Sequence, residues 1–178
     1  MPQGPTIVGA GADLADGLNP WANPGNITAQ DGAFATASTP AGPTNTLRAT
    51  MAASAFSATS AVVGVQVDIR CEQPIGGATV LSFARLTQGG AAIGTNQATN
   101  NAVPTTLGNV SIGGSTSTWG NGGSIASATA NSSTFGVDLQ FSGGAADSIS
   151  VDDVALTIWF TAGTESSELI ASRICISG

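Results

Sequence analysis

Residues 61–70 read AVVGVQVDIR. Val63, Val65, Val67 and Ile69 alternate with Gly64, Gln66, Asp68 and Arg70. Successive side chains of a strand point to opposite faces, so apolar β-branched residues recurring every second position predict a strand with one buried face. The pattern returns three times. In Ser150–Thr161, Val154, Leu156, Ile158 and Phe160 share one phase, and Ala155, Thr157 and Trp159 the other. Phe135, Val137, Leu139 and Phe141 give another strand. Thr79–Thr87 gives the fourth, with Leu81 and Phe83 on one face and Val80 and Leu86 on the opposite one. A shorter strand is expected at Leu107–Ile112.

The segments between these strands are turns and loops, not helices. Gly76–Gly77, Gln88–Gly90, Asn131–Ser133 and Gly143–Gly144 punctuate them, and residues 94–106 read as a long polar loop. Strands at this spacing predict an all-β, antiparallel sandwich, and eight or so of them suit a jelly roll. The expected organisation is an extended N-terminal arm over residues 1–18, a sandwich over 19–163 and a C-terminal tail over 164–178.

Composition narrows the function classes. Only 8% of the 178 residues are charged, so amphipathic helices with charged outer faces cannot be built in number. Net charge is −7, and the basic residues are Arg48, Arg70, Arg85 and Arg173 with no Lys. Nucleic-acid binding and contact with anionic lipid both need clustered cations, so neither is expected. His is absent, which removes the commonest general base and metal ligand. No catalytic residue, no metal site and no cofactor is assigned. Cys71 and Cys175 lie in no CxxC pattern and read as small apolar residues, with a disulfide to the tail as the alternative. No apolar run is long enough to span a bilayer, and the N-terminal MPQGPTIVGAGADL lacks the basic and apolar regions of a signal peptide.

Several local features invite a chemical reading. Gly9-Ala10-Gly11 is half of a dinucleotide fingerprint, but Leu14 stands where the third Gly belongs and no βαβ pattern follows. Asp152 and Asp153 are adjacent, so they can line one site only if the strand is bulged there. NPWANPGNITAQDGAFATAS, residues 19–38, has no nucleophile or base. It reads as a clasp anchored by Trp21 and Phe34 and stiffened by Pro20 and Pro24. Trp21 and Trp119 are also candidate stacking platforms for a sugar, a role that requires them to be exposed. Ile7, Val8 and Leu14 in the arm, and Leu169, Ile170, Ile174 and Ile176 in the tail, are too few to fold alone and are candidate contact residues.

Taken with FSATSAVVGVQVDIR, Trp119-Gly120, FGVDLQF at 135–141 and VDDVALTIWF at 151–160, the 19–38 stretch resembles a family of tailed-bacteriophage virion proteins. These are surface jelly-roll modules found as capsid decoration (cement) proteins and in tail fibres. The resemblance spans Asn19 to Ala162 and carries no catalytic motif. It implies a structural, non-enzymatic protein of the virion surface, made in the host cytoplasm. The implied partners are the major capsid protein or other virion proteins, and itself, as a homotrimer. The alternative it leaves open is a tail-fibre or receptor-binding module for a host glycan. VDDVAL also resembles the last strand of carbohydrate-binding jelly rolls, where an Asp helps to hold a structural calcium ion.

Overall fold

The computed structural model describes residues 2–16, 19–39, 42–52, 60–75, 77–144 and 147–161. The tail residues Leu169, Ile170, Ile174, Cys175 and Ile176 lie outside the described residues.

Two antiparallel sheets enclose one apolar core. The first contains β1 (Pro2–Ile7), β3 (Ala35–Ser38), β5 (Ala61–Glu72), β9 (Gly108–Gly114), β10 (Ile125–Ala126) and β12 (Ser148–Phe160). At its centre β12 pairs with β5; β1 and β3 share the other side of β12, and β9 and β10 share the other side of β5. This sheet is therefore four strand positions wide. The second contains β2 (Ala10–Asp13), β4 (Leu47–Thr50), β6 (Val80–Gln88), β7 (Ala91–Ile93), β8 (Asn101–Ala102) and β11 (Phe135–Ser142). Its order is β2-β4-β11-β6, with β7 and β8 both on β6, and it is five positions wide. The helical content among the described residues is a 3-10 turn at Pro24–Ile27 and α1 (Ser127–Ala130).

The period-two pattern places the core as expected, except where a bulge reverses its phase. In β5, Val65, Val67, Ile69 and Cys71 are fully buried, but Val62 rather than Val63 completes the row. Gly64 pairs with Trp159 and Val62 with Phe160, so Val63 is an extra residue in β5. In β6, Gln140 pairs with Phe83 and Phe141 with Leu81, which makes Ser82 the extra residue. Leu81 therefore shares the core with Ala84 and Leu86, and Phe83 turns to the outside; the pairing of Leu81 with Phe83 on one face is overturned. In β12 the extra residue is Asp152, since Val151 pairs with Cys71 and Asp153 with Arg70. Ile149 and Val151 point inward before it; Val154, Leu156 and Ile158 do so after it.

Residues 1–18 were expected to form an arm outside the sandwich. Pro2–Ile7 instead pairs with β12 as an edge of the first sheet, and Ala10–Asp13 pairs with β4 as an edge of the second. The crossing takes two residues. The Val8 amide donates to Val154 O at 2.9 Å, and the next amide, Gly9, donates to Thr50 O of the opposite sheet at 2.8 Å. Such a corner closes the same flank of both sheets with one stretch of chain. The loop expected over residues 94–106 contains β8.

Candidate functional site

The clasp forms the first candidate surface. Pro24 and Gly25 open the 3-10 turn, and Asn23 before it adopts φ 53°, a left-handed value that Asn tolerates better than most residues. The turn buries Ile27 completely. Trp21 is 5% exposed; its Nε1 donates to Asn45 O at 2.8 Å, and its ring meets Phe141 edge-on at 5.9 Å between centroids. The two apolar anchors are thus Trp21 and Ile27, while Phe34 is half-buried and receives the Asn26 side-chain amide on its carbonyl. Full burial of an Ile side chain contributes about 2–3 kcal/mol. Gly11 explains the partial glycine motif. A Cβ there would lie 2.0 Å from Pro24 O and 2.8 Å from Ile27 Cδ1, so the glycine is what lets β2 approach the turn.

The clasp then crosses the outer face of the first sheet at the β12 bulge. Thr28 makes an isolated bridge to Asp153, and the Gly32 amide donates to Asp152 Oδ1 at 3.0 Å. Because the bulge places Asp152 out of alternation, both acids reach this one region. Asp152 Oδ2 lies 3.1 Å from Arg70 Nε as an ion pair, at an angle too poor for a hydrogen bond. Asp153 is 2% exposed, and its Oδ2 has no hydrogen-bond partner. Burial pushes the Asp153 carboxyl above its ordinary value. A Gln30 hydrogen bond and the Arg70 charge oppose the shift, and the charges of Asp152 and Asp68 add to it. On the neighbouring strands Asp68 accepts from Gln66 Nε2 at 2.8 Å and from Ser111 Oγ at 2.5 Å.

The second surface is the outer face of the second sheet. Arg48 Nε and Nη2 donate to the two oxygens of Asp138 at 2.7 and 2.8 Å, a bidentate tie between β4 and β11. The hydrogen bond to Asp138 holds the Arg48 guanidinium above its already high ordinary value. Beside it, Arg85 stands over the Phe83 ring at 5.1 Å. Asp16 accepts from Thr46 Oγ1 at 2.7 Å and from the Thr46 amide at 3.1 Å. Burial acts to raise the Asp16 carboxyl, but these bonds and one from Gln140 outweigh it and hold it below its ordinary value.

The sequence candidates do not converge on one site. Trp119 is fully buried, with its Nε1 donating to Val65 O at 2.9 Å. Neither Trp21 nor Trp119 presents a ring face to a ligand, and Trp159 at the end of β12 is half-buried. Val8 is in the core, Ile7 is half-buried in β1, and Leu14 is exposed. Among the described residues no group of three or more His, Cys, Asp or Glu is placed to hold a metal ion. The oxygens of Asp152 already face the Gly32 amide and Arg70, so Asp152 does not fit the calcium role. Cys71 is buried and free, its thiol pushed up to about 12 by burial and by the charge of Glu72. The bulge that gathers the acids was legible in outline, since apolar residues at 149, 151, 154, 156 and 158 contain one three-residue step. The ties of Arg48 and Asp16 had no local signal.

No protein-family model, curated protein or solved structure matches this chain.

Proposed function

We propose that the chain is a structural, non-enzymatic protein of a tailed-phage virion, a capsid decoration protein that binds the outer shell as a homotrimer and stabilises it. Its fold on this reading is a jelly roll. Strand order supports that topology: β3-β12-β5-β9 in one sheet and β4-β11-β6-β8 in the other, with successive strands wrapping from sheet to sheet.

The observation that carries the functional reading is the use made of charge. Asp16, Asp68, Asp138 and Asp152 bond to residues of other segments, and Asp13 to the Trp21 amide, while Asp31 and Asp147 accept amides within their own turns. Polar groups spent as ties between segments suit a rigid module whose action is mass action: a partner that binds only the assembled shell stabilises it. The glycan-binding alternative needs an exposed ring, and the burial of Trp21 and Trp119 weighs against it.

The test is to tag the chain in its own genome and image purified particles by cryo-electron microscopy. The expected result is density for a two-sheet module at regular positions on the shell, with the shell rupturing at a lower temperature when the gene is deleted. Density on the tail would replace this reading with the fibre one. Absence from purified particles would overturn both.

A further inference from the structure

We infer that Thr39, Thr79 and Asp147 hold a single hard metal cation between the two sheets, at one end of the sandwich.

Strand phase points there first. Ala35 and Ala37 of β3 face the core, so the next inward position is Thr39. Counted back from Val151 and Ile149 of β12 it is Asp147, and back from Leu81 of β6 it is Thr79. Counted forward from Leu139 and Phe141 of β11 it is Gly143. Ser38 pairs with Ser148, and Ser142 with Val80. Thr39 and Asp147 are therefore the next pair out in the first sheet, and Gly143 and Thr79 the next pair out in the second. The Thr39 amide accordingly donates to Asp147 O at 2.9 Å. Where the inward rows call for apolar residues, this layer carries two hydroxyls, one carboxyl and a bare backbone.

The three side chains converge. A Cβ on Gly143 would lie 2.6 Å from Thr39 Oγ1, 2.7 Å from Asp147 Oδ2 and 3.0 Å from Thr79 Oγ1. Gly143 has no left-handed φ, so space rather than backbone conformation calls for glycine here. Thr39 is 0% exposed, Thr79 1% and Asp147 6%. Among the described residues neither hydroxyl has a hydrogen-bond partner. Their backbones are held: the Thr79 amide donates to Gln73 Oε1 at 2.9 Å, and its carbonyl accepts the Val103 amide at 3.0 Å.

Buried hydroxyls and carboxylates keep partners, because burial without one costs free energy. Asp147 Oδ2 accepts the Gly144 amide at 2.7 Å, which brings no compensating charge. The ion pairs among the described residues belong to Asp138 and Asp152, not to Asp147. A buried water would serve the two hydroxyls and leave the carboxylate uncompensated, whereas a cation serves all three. Oxygen donors without nitrogen or sulfur suit a hard cation, Ca2+ or Na+, which completes its shell with backbone carbonyls and water. This set is separate from Asp152 and Asp153 on the outer face of the first sheet. Bound there, the ion ties the ends of β3 and β12 to the start of β6, across the two sheets. The inference does not depend on what the protein docks on.

The test is the melting temperature of the full chain, stripped with a chelator and held in tetramethylammonium chloride. CaCl2 and NaCl are added at constant ionic strength, to wild type and to Thr39→Val/Thr79→Val, which keeps side-chain shape and removes both hydroxyls. At about 100 times its dissociation constant the bound ion should raise the wild-type melting temperature by about 5–10 °C. A rise with CaCl2 identifies Ca2+, and a rise with NaCl alone identifies Na+. The variant should show neither rise. No rise in wild type with either salt overturns the proposal and leaves a water as the partner of the hydroxyls. A rise of the same size in the variant also overturns it, since the ion then binds elsewhere.

Discussion

Replacing Trp119 with Phe tests whether this side chain is a core staple. Its ring N–H is the partner of Val65 O, and its own carbonyl accepts the Thr95 amide at 2.7 Å, so one residue joins the 94–97 and 115–124 segments to β5. Phe keeps most of the ring but cannot donate. The Val65 carbonyl is then left unpaired in the core, at a cost of about 1–3 kcal/mol. The smaller ring leaves space that the closely packed neighbours fill incompletely, adding about 1 kcal/mol. The sum is about 2–4 kcal/mol, and at about 2–4 °C per kcal/mol for a chain this size the melting temperature should fall by about 4–16 °C. Trp119→Ala should cost more, about 3–5 kcal/mol or above. The assay is urea unfolding at equilibrium, with the midpoint lowered and the slope unchanged. Half-buried Trp159, changed to Phe, is the control and should lose less than about 1 kcal/mol. A Trp119→Phe loss within about 0.5 kcal/mol, the range of a surface substitution, would refute the staple and return this side chain to the list of ligand platforms.

Three other outcomes are expected. Arg48→Met strands the Asp138 carboxylate, which is 5% exposed, and should cost about 2–4 kcal/mol; Arg48→Met/Asp138→Met should recover most of it, and additive losses in the double-mutant cycle would show that the pair is not coupled. The Asp153 carboxyl is raised in the folded state, so its stabilising contribution is full below the unfolded value near 3.8 and is lost as pH rises through the folded value. Asp153→Asn should therefore be the more stable protein at pH 7, with the gap closing toward pH 3; a gap that does not change with pH contradicts this. In a Cys175→Ser chain, Cys71 should resist a disulfide-exchange reagent at pH 8 until the protein is unfolded, because almost no thiolate forms at a pKa of about 12; prompt labelling of the native protein would disprove it.

How far the sequence could be read depended on the range of the interaction involved. Alternation in 65–69, 135–141 and 154–160 is local, and it located the central strands and most of the core. Phase was lost at Val63, Ser82 and Asp152, because a bulge is set by the register of two paired strands and not by either one. Pro2–Asp13 looked like an arm because its Gly and Pro content is typical of irregular chain. Its strands exist only because β12 and β4 offer edges 150 and 40 residues away, and a local pattern cannot report that. Trp21 and Trp119 were ambiguous for the same reason, since the carbonyls that accept their ring N–H groups belong to Asn45 and Val65. The clasp was legible as a set of turns, but its landing place on Asp152 was not.

The place of β12 in the first sheet has a consequence for how the protein is made. This strand, Ser148–Phe160, is the common partner of β1, β3 and β5, and it is the last strand described. Until it leaves the ribosome, the first sheet has no centre. Translation at about 5–20 residues per second keeps β1, β3 and β5 waiting for several seconds with unpaired edges. β2, β4, β6 and β11 are complete by Ser142 and can close the second sheet earlier. A nascent chain stalled before Asp147 therefore holds one finished sheet whose apolar face has only β5, β9 and β10, and not β12, to cover it. Premature termination in the last quarter of the gene should yield insoluble product rather than a smaller working module, and slow codons placed before Ser148 should lower the soluble yield more than the same codons placed after Thr161.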